Sequence, residues 1–356
     1  MNPSSDDPVP ALLRDLAAGR ALRPDDFAAA VGRAMDGQAD PVAFGGLLAA
    51  LSMRPVAAEL LAAAAAVIRA RAVRVHAEVR PLVDTCGTGG DGAGTFNVST
   101  AAACVVAGAG CAVAKHGNRA VSSAVGSADV LVAAGCALEL EPAAAKTALD
   151  AVGFVFLFAP RHHPAFRHVA PIRKSLGVRT IFNLLGPLCN PAGADRQLVG
   201  VYDPVATLPV AEALRELGSE RALVVHCDGL DEIGLHATTR GHLLQNGSIA
   251  PFELDARELG FERTPLAALR GGDLPASLAM LRSALGGQDG ARSAAVTLNA
   301  GAALFVAGVA KDLEHGVELA RETMARGAGL RVLERYAETS RRLAGGTAGD
   351  RAQGVA

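Results

Sequence analysis

Between Asp84 and Thr100 the chain reads DTCGTGGDGAGTFNVST, a Gly-rich run set between a predicted strand and a predicted helix. Glycines in such a run let backbone N–H groups face an anion without interference from a Cβ. Asn97, Ser99 and Thr100 stand where the next helix begins, and its unpaired N–H groups and dipole favour phosphate. The run is not read as a dinucleotide-binding or P-loop signature, whose spacings are taken to differ. Taken alone, a long turn in a Gly-rich protein accounts for the same residues.

Lys115-His116-Gly117-Asn118-Arg119 follows a short predicted strand, Cys111 to Ala114. In an open α/β sheet, residues just past the carboxyl end of a strand line the ligand crevice. This group offers donors for phosphate and for a carbonyl or carboxylate, and Ser122, Ser123 and Ser127 extend it as a hydroxyl-rich loop. A solvated basic turn is the competing account. Asp228-Gly229-Leu230-Asp231-Glu232 again follows a predicted strand, Arg221 to Cys227. Its carboxylates suit Mg²⁺, which takes a few carboxylates plus water and substrate phosphates; a solvated acidic loop is the alternative. No Cys/His cluster has zinc spacing. Arg173, with Lys174 beside it, falls on a helix predicted from Pro164, where it is a surface residue or a bidentate grip on a carboxylate. No G-x-S-x-G elbow and no Cys/His or Ser/His pairing supports covalent catalysis.

The elements that must hold these residues alternate. The first 80 residues read as helices: one around Leu12, Leu13 and Leu16, a second opened by Pro24-Asp25-Asp26, a third from Pro41 through Leu51 and a fourth from Pro55. Beyond Arg80 short apolar strands end at Cys86, Ala114, Phe158, Tyr202 and Cys227, with helices between them. That alternation implies an α/β fold with a mostly parallel sheet covered on both faces. Gly241 to Leu254 reads as short antiparallel strands, Asp273 to Leu343 as helices, and the residues from Ala344 as a frayed, flexible tail.

Composition narrows the function classes. Of 356 residues, half are hydrophobic and 20% charged, so a sizeable core forms and global disorder is excluded. Length alone favours about two domains at roughly 150 residues each. Aromatics are 4%, with no Trp and two Tyr, which disfavours a stacking-based nucleic-acid binder. The net charge of −2 shows no basic excess for a polyanion. Cys86, Cys104, Cys111, Cys136, Cys189 and Cys227 contain no CxxC pair and read as reduced, buried side chains. The polar N-terminus is no secretory signal and no apolar run reaches the roughly 20 residues of a bilayer span. A soluble cytoplasmic enzyme acting on small molecules is expected.

The motifs together resemble the anthranilate phosphoribosyltransferases of tryptophan biosynthesis. The matching segments are Asp84 to Thr100, Lys115 to Ser123 (KHGNRAVSS), Gly126 to Val130 (GSADV), Pro164 to Pro191 (PAFRHVAPIRKSLGVRTIFNLLGPLCNP) and Gly229 to Ile233 (GLDEI), in the family's order. The resemblance implies a small helical domain of residues 1–80, joined by helices around 167–191, and a larger α/β domain of residues 81–343. Catalysis would lie between them, in a homodimer formed largely through the helical domain. The implied reaction joins the amine of anthranilate to the anomeric carbon of phosphoribosyl pyrophosphate, with Mg²⁺ and release of pyrophosphate.

By position, Gly87, Gly90, Asp91, Thr95, Asn97, Val98, Ser99 and Thr100 would surround ribose and pyrophosphate. Lys115, His116, Gly117, Asn118, Arg119, Ala120, Val121, Ser122, Ser123 and Ser127 would complete that site. Ser99, Asp231 and Glu232 would hold Mg²⁺. Gly87, Asn118 and Arg173 would contact anthranilate, Arg173 through its carboxylate, with His116 and Pro187 shaping the pocket. Lys115, His116 and Arg173 would act by positioning, without covalent or acid–base roles. The chain departs from the family pattern at Ala93-Gly94, at Ala124 and at Gly234 to Ala237. A pyrimidine nucleoside phosphorylase would lack the Asp231-Glu232 pair, and a nucleic-acid-binding relative would want a basic surface.

Overall fold

The computed structural model describes residues 7–120 and 124–350, the last five without their side chains. Helices α1 (Val9–Ala17), α2 (Pro24–Met35), α3 (Pro41–Ser52) and α4 (Ala58–Ala70) open the fold. Proline stands in the first turn of α2 and α3, where its missing N–H costs nothing, and the Asp40 carboxylate caps α3 by accepting the Ala43 N–H at 2.8 Å. Pro55 does not begin α4. Ala57 is still extended, and helical bonding starts with the Leu61 N–H on the Ala57 carbonyl.

The chain then alternates: β1 (Leu82–Gly87), α5 (Val98–Gly108), β2 (Ala112–Gly117), α6 (Ser127–Ala133), α7 (Pro142–Val152), β3 (Phe154–Phe158). A single turn α8 (Ala159–His162), then α9 (Phe166–Leu176) and the short α10 (Phe182–Leu185) lead into β4 (Arg196–Gly200). α11 (Thr207–Glu216), β5 (Arg221–His226), β6 (Thr239–Gln245) and β7 (Ser248–Leu254) follow. α12 (Leu274–Leu285), α13 (Gly290–Ala307), α14 (Leu313–Ala325) and α15 (Ala328–Asp350) close the chain. Residues 344–350 therefore continue a helix where a frayed tail was expected, and residues 351–356 lie outside the described residues.

One sheet of seven strands has the order β3-β2-β1-β4-β5-β6-β7. The first five are parallel and the last two antiparallel, β6 and β7 being joined by a hairpin at Asn246-Gly247 with φ of 52° and 74°. Both turn residues need positive φ to match the twist of the strands, and Asn-Gly supplies it cheaply. From β1 the chain winds outward one way through β2 and β3, and from β4 the other way through β5. The switch point lies between β1 and β4, so a crevice opens beyond their carboxyl ends.

The two faces of β4 and β5 feed two cores. Leu198, Leu223 and Val225 pack with α5 and α13, whereas Val199, Val201, Ala222 and Val224 join the core of α1–α4. Val169 of α9 and Phe182, Leu184 and Leu185 of α10 enter that second core, against α2, α3 and α4. The strands therefore read as continuous apolar runs, because neither face meets water. Among the described residues no helix is long and apolar enough to cross a membrane, and all six cysteines are buried and unpaired.

Candidate active site

The Gly-rich run leaves β1 at Gly87, where a Cβ would overlap the Asp231 carboxylate. Gly89, Gly90, Gly92 and Gly94 have φ between 61° and 77°, a conformation a side chain would strain. The run is fastened at both ends. The Thr88 N–H donates to the Gly200 carbonyl at 2.9 Å, and the Tyr202 N–H to Thr88 Oγ1 at 3.0 Å. The Gly271 N–H donates to the Gly94 carbonyl at 2.8 Å, and the Phe96 N–H to the Leu269 carbonyl at 2.9 Å. Gly87 to Gly92 does satisfy G-x-G-x-x-G, which corrects the expectation that its spacing differs. What separates it from a dinucleotide loop is α5, which starts only at Val98, after the chain has been tied back through Gly94. Asn97 precedes α5 without capping it, and its buried Oδ1 and the buried Thr100 Oγ1 have no partner. Orphaned polar atoms at a helix start are what a phosphate-bearing ligand would satisfy.

Lys115 and His116 lie inside β2 and not beyond it, because β2 continues to Gly117 in pairing with β3. Lys115 is 2% exposed; its Nζ donates to the Thr85 carbonyl and to Ser99 Oγ, the latter at 3.1 Å. Its direct acceptors are neutral, and its charge also pulls on the buried Asp84 and Glu232 carboxyls. Burial, together with the neighbouring His163 and His162, pushes His116 well below the usual imidazole range, so the ring is neutral. Its Nδ1 lies 3.2 Å from the Gly186 carbonyl, which assigns the proton to Nδ1 and leaves the buried Nε2 as an acceptor without a partner.

Asn118 and Ser127 form a separate bonded set, with Ser127 Oγ donating to the Asn118 carbonyl at 3.2 Å and the Ala128 N–H to the same oxygen at 3.1 Å. Arg119 is engaged by Asp129 at 2.9 Å, which also accepts the Ala120 and Gly126 N–H groups. Val121, Ser122 and Ser123 lie outside the described residues.

After β5, Asp228 and Gly229 turn with φ of 40° and 83°, and Cys227 and Leu230 exchange N–H···O bonds of 2.9 and 3.0 Å. His226 braces this turn: its Nδ1 meets the Val201 carbonyl at 2.8 Å and its Nε2 accepts the Gly229 N–H at 3.0 Å. Asp231 is thereby laid over Gly200, where a Cβ would overlap its backbone. Its Oδ2 accepts the Gly89 N–H at 2.7 Å, and its own N–H donates to Asp91 Oδ2 at 3.3 Å. Glu232 Oε1 accepts the Ser99 N–H at 3.1 Å. Burial first, then the charges of Asp91 and Glu232, pushes Asp231 far above the usual carboxylate range. Burial pushes Glu232 up to about 7 against the opposing pull of Lys115. Such mutual repulsion is what a divalent cation would relieve. Among the described residues no three His, Cys, Asp or Glu side chains converge into a closed metal cage.

Arg173 on α9 is half-buried and has no carboxylate partner among the described residues. Burial depresses its pKa. Its guanidinium lies 5.7 Å from the Phe182 ring, and a chain of rings leads from there to the sheet: Phe182–Phe166 at 6.1 Å, Phe166–His163 at 5.9 Å and His163–His116 at 5.1 Å. An unmatched Arg at the edge of an aromatic wall suits a planar aromatic carboxylate. Pro187 sits in the 3-10 turn Gly186–Cys189, and its carbonyl accepts Gln197 Nε2 at 2.8 Å. His163, Phe166, Phe182 and His226 were not singled out from sequence. In a chain with eleven Phe, two of them flanking Arg173 in one short segment was the available signal.

A helical bundle docked on a parallel sheet, with an anion loop and an acidic turn at the switch point, defines a glycosyl transferase of two-part build. Family models described as "Glycosyl transferase family, helical bundle domain" and "Glycosyl transferase family, a/b domain" match residues 10–72 and 79–330. The anthranilate phosphoribosyltransferase of Rubrobacter xylanophilus is 48% identical over 335 residues, 94% of this chain and 98% of that protein. The crystal structure of anthranilate phosphoribosyltransferase from Thermus thermophilus superposes with a TM-score of 0.88 at 45% identity, covering 93% of this chain and 99% of that one. The Saccharomyces cerevisiae enzyme in complex with phosphoribosyl pyrophosphate and Mg gives 0.86 at 26% identity, covering 95% and 99%. The chain belongs to the anthranilate phosphoribosyltransferase family.

Proposed function

We propose that this protein transfers the phosphoribosyl group of phosphoribosyl pyrophosphate to the amine of anthranilate in tryptophan biosynthesis, releasing pyrophosphate in a Mg²⁺-dependent reaction. One observation carries the reading most directly: the Asp231 and Glu232 carboxylates hold the Gly89 and Ser99 N–H groups, joining an acidic pair to the Gly-rich loop and the start of α5. The yeast relative, bound to phosphoribosyl pyrophosphate and Mg, supports the same ligands here.

Gly87, Gly90, Asp91, Thr95, Asn97, Val98, Ser99 and Thr100 hold ribose and pyrophosphate, with Lys115 to Ser123 and Ser127 closing the site. Asp231, Glu232 and Ser99 hold Mg²⁺, which neutralises charge developing on the leaving pyrophosphate. Lys115 adds its buried positive charge and the loop N–H groups add oriented dipoles, which are worth most where water is excluded. Breaking the anomeric bond leaves positive charge on the sugar, as in glycoside hydrolysis. Arg173 grips the anthranilate carboxylate, Gly87 and Asn118 also contact anthranilate, and Pro187 shapes the pocket. His116 Nε2, neutral and without a partner, suits an N–H of the amine. An aryl amine is nucleophilic when neutral, so positioning it in line is the main requirement and can supply about 7–11 kcal/mol.

Anthranilate fluorescence is expected to fall when phosphoribosyl pyrophosphate and Mg²⁺ are added together, and not with either alone. Unchanged fluorescence from folded protein would sink the reading.

The helical unit comprises residues 1–80 together with helices around 167–191, a division supported by the packing of α9 on α2 and α3. The remaining residues up to 343 form the α/β unit. The protein is a cytoplasmic homodimer joined through the helical unit and binds no nucleic acid. Val42 and Met53, 84% and 87% exposed along α3 and at its end, support an apolar contact there, and the net charge of −2 supports the absence of a polyanion. Sedimentation velocity should give twice the chain mass, and the Val42→Glu/Met53→Glu variant half of that. A monomeric wild type would refute the dimer.

A further inference from the structure

Arg179 is the third residue of the loop that leaves α9, exposed and without a carboxylate partner among the described residues. Its Nη2 nevertheless donates to the Gly90 carbonyl, across to the Gly-rich loop. Its guanidinium is stacked 4.4 Å from the centroid of the Tyr202 ring. Tyr202 follows β4, and its backbone N–H donates to Thr88 Oγ1 at 3.0 Å, at the root of the same loop. The four residues therefore form a closed circuit: Thr88 holds Tyr202, Tyr202 supports Arg179, and Arg179 holds Gly90, two residues past Thr88. Gly89 and Gly90, at φ of 65° and 77°, are the bend that circuit encloses. A bend of two consecutive positive-φ glycines has little conformational preference of its own, so an external tie decides how often it is set for a ligand.

We infer that Arg179 and Tyr202 are positioning residues that latch the Gly89-Gly90 bend in its phosphate-binding shape, from the same segment that carries Arg173. The inference rests on the reading of this loop as the phosphoribosyl pyrophosphate site. The bend is also held by Asp231, whose Oδ2 accepts the Gly89 N–H at 2.7 Å, but among the described residues Arg179 and Tyr202 bond neither to the metal carboxylates nor to the aromatic wall. Loss of the latch is therefore felt as weaker donor binding, while the bound complex reacts as before. Stacking needs the planar guanidinium and the ring face, and the phenol hydroxyl has no part in it.

Arg179→Met and Tyr202→Leu should each raise the KM for phosphoribosyl pyrophosphate by about tenfold, the loss expected for one charge-assisted hydrogen bond or one cation–π stack, with kcat changed less than about twofold. The double variant should be no worse than the poorer single, and Tyr202→Phe should match the wild type. Additive effects, or a kcat loss of about 100-fold at unchanged KM, would overturn the latch, the latter by making Arg179 a direct contact of the reacting atoms. Hydrogen exchange of the free protein tests the latch whatever the substrate is. Amides of residues 88–94 should exchange about tenfold faster in Arg179→Met than in the wild type, with α5 unchanged. Equal rates would refute the latch even in a protein that turns over anthranilate, whereas faster loop exchange in a protein without that turnover would leave the latch standing and the substrate reading refuted.

Discussion

Replacing Asp231 and Glu232 together by alanine is expected to abolish Mg²⁺-dependent turnover, a loss of about 10³-fold or more in kcat/KM, while the protein stays folded. The magnitude follows from the chemistry: pyrophosphate departs with charge that only a metal clamp and oriented N–H groups can neutralise. Folding survives because the two carboxylates repel each other in a buried turn, so their removal costs two hydrogen bonds and relieves that repulsion. Retained Mg²⁺-dependent turnover would remove both residues from the metal site. The same pair sets a pH signature. Burial raises Asp231 far above the usual carboxylate range and Glu232 up to about 7, so the native state keeps protons that the unfolded chain has already released. The contribution of the pair to stability is thus present below the ordinary carboxylate range and is lost as pH rises through the raised values. Metal-free wild type should lose Tm relative to the double-alanine variant as pH rises from the acid range through neutrality, and Mg²⁺ should restore more of it at high pH than at low. Parallel Tm profiles for the two proteins would contradict the assignment.

Arg173→Ala is expected to raise the KM for anthranilate by about 30- to 10³-fold, the cost of leaving one partner of a desolvated charge pair without the other. The KM for phosphoribosyl pyrophosphate should change by less than about twofold, because the rings of Phe182, Phe166, His163 and His116 stand in series between Arg173 and the sheet. Arg173→Lys should fall between, since an ammonium keeps the charge and loses the bidentate fork. Steady-state kinetics with each substrate varied in turn decides the matter. Equal effects on the two KM values would make Arg173 a prop for α9 instead of a carboxylate ligand.

Much of the fold was legible because it depends on local chemistry. The helix start at Pro24 and the strand end at Phe158 were placed correctly, since a proline in the first turn and an all-apolar run each mark a boundary. Lys115 and His116 were placed beyond their strand because polar residues look like a loop from sequence. In the fold they are buried strand residues whose polar atoms find Thr85, Ser99, Asp84 and Gly186 across it. Gly-rich composition lowers helix propensity from Ala344, yet residues 344–350 stay helical because α15 is propagated from a start packed on Val332, Leu333 and Tyr336.

By itself, the sequence determined which groups are available: a Gly-rich run able to approach an anion, a following helix start, an acidic pair and the order of strands and helices. These are matters of residue type and short-range spacing. Only the tertiary structure decided that Asp231 lies over Gly87 and Gly200, that Glu232 meets Ser99, and that Arg173 stands without a carboxylate partner against Phe182. It also decided that Arg179 reaches back to Gly90 across Tyr202. Apart from Arg173 on Phe182, those contacts join segments far apart in the chain at the switch point between β1 and β4, and loop closure over such distances is chosen by packing of the whole fold, which no local pattern encodes.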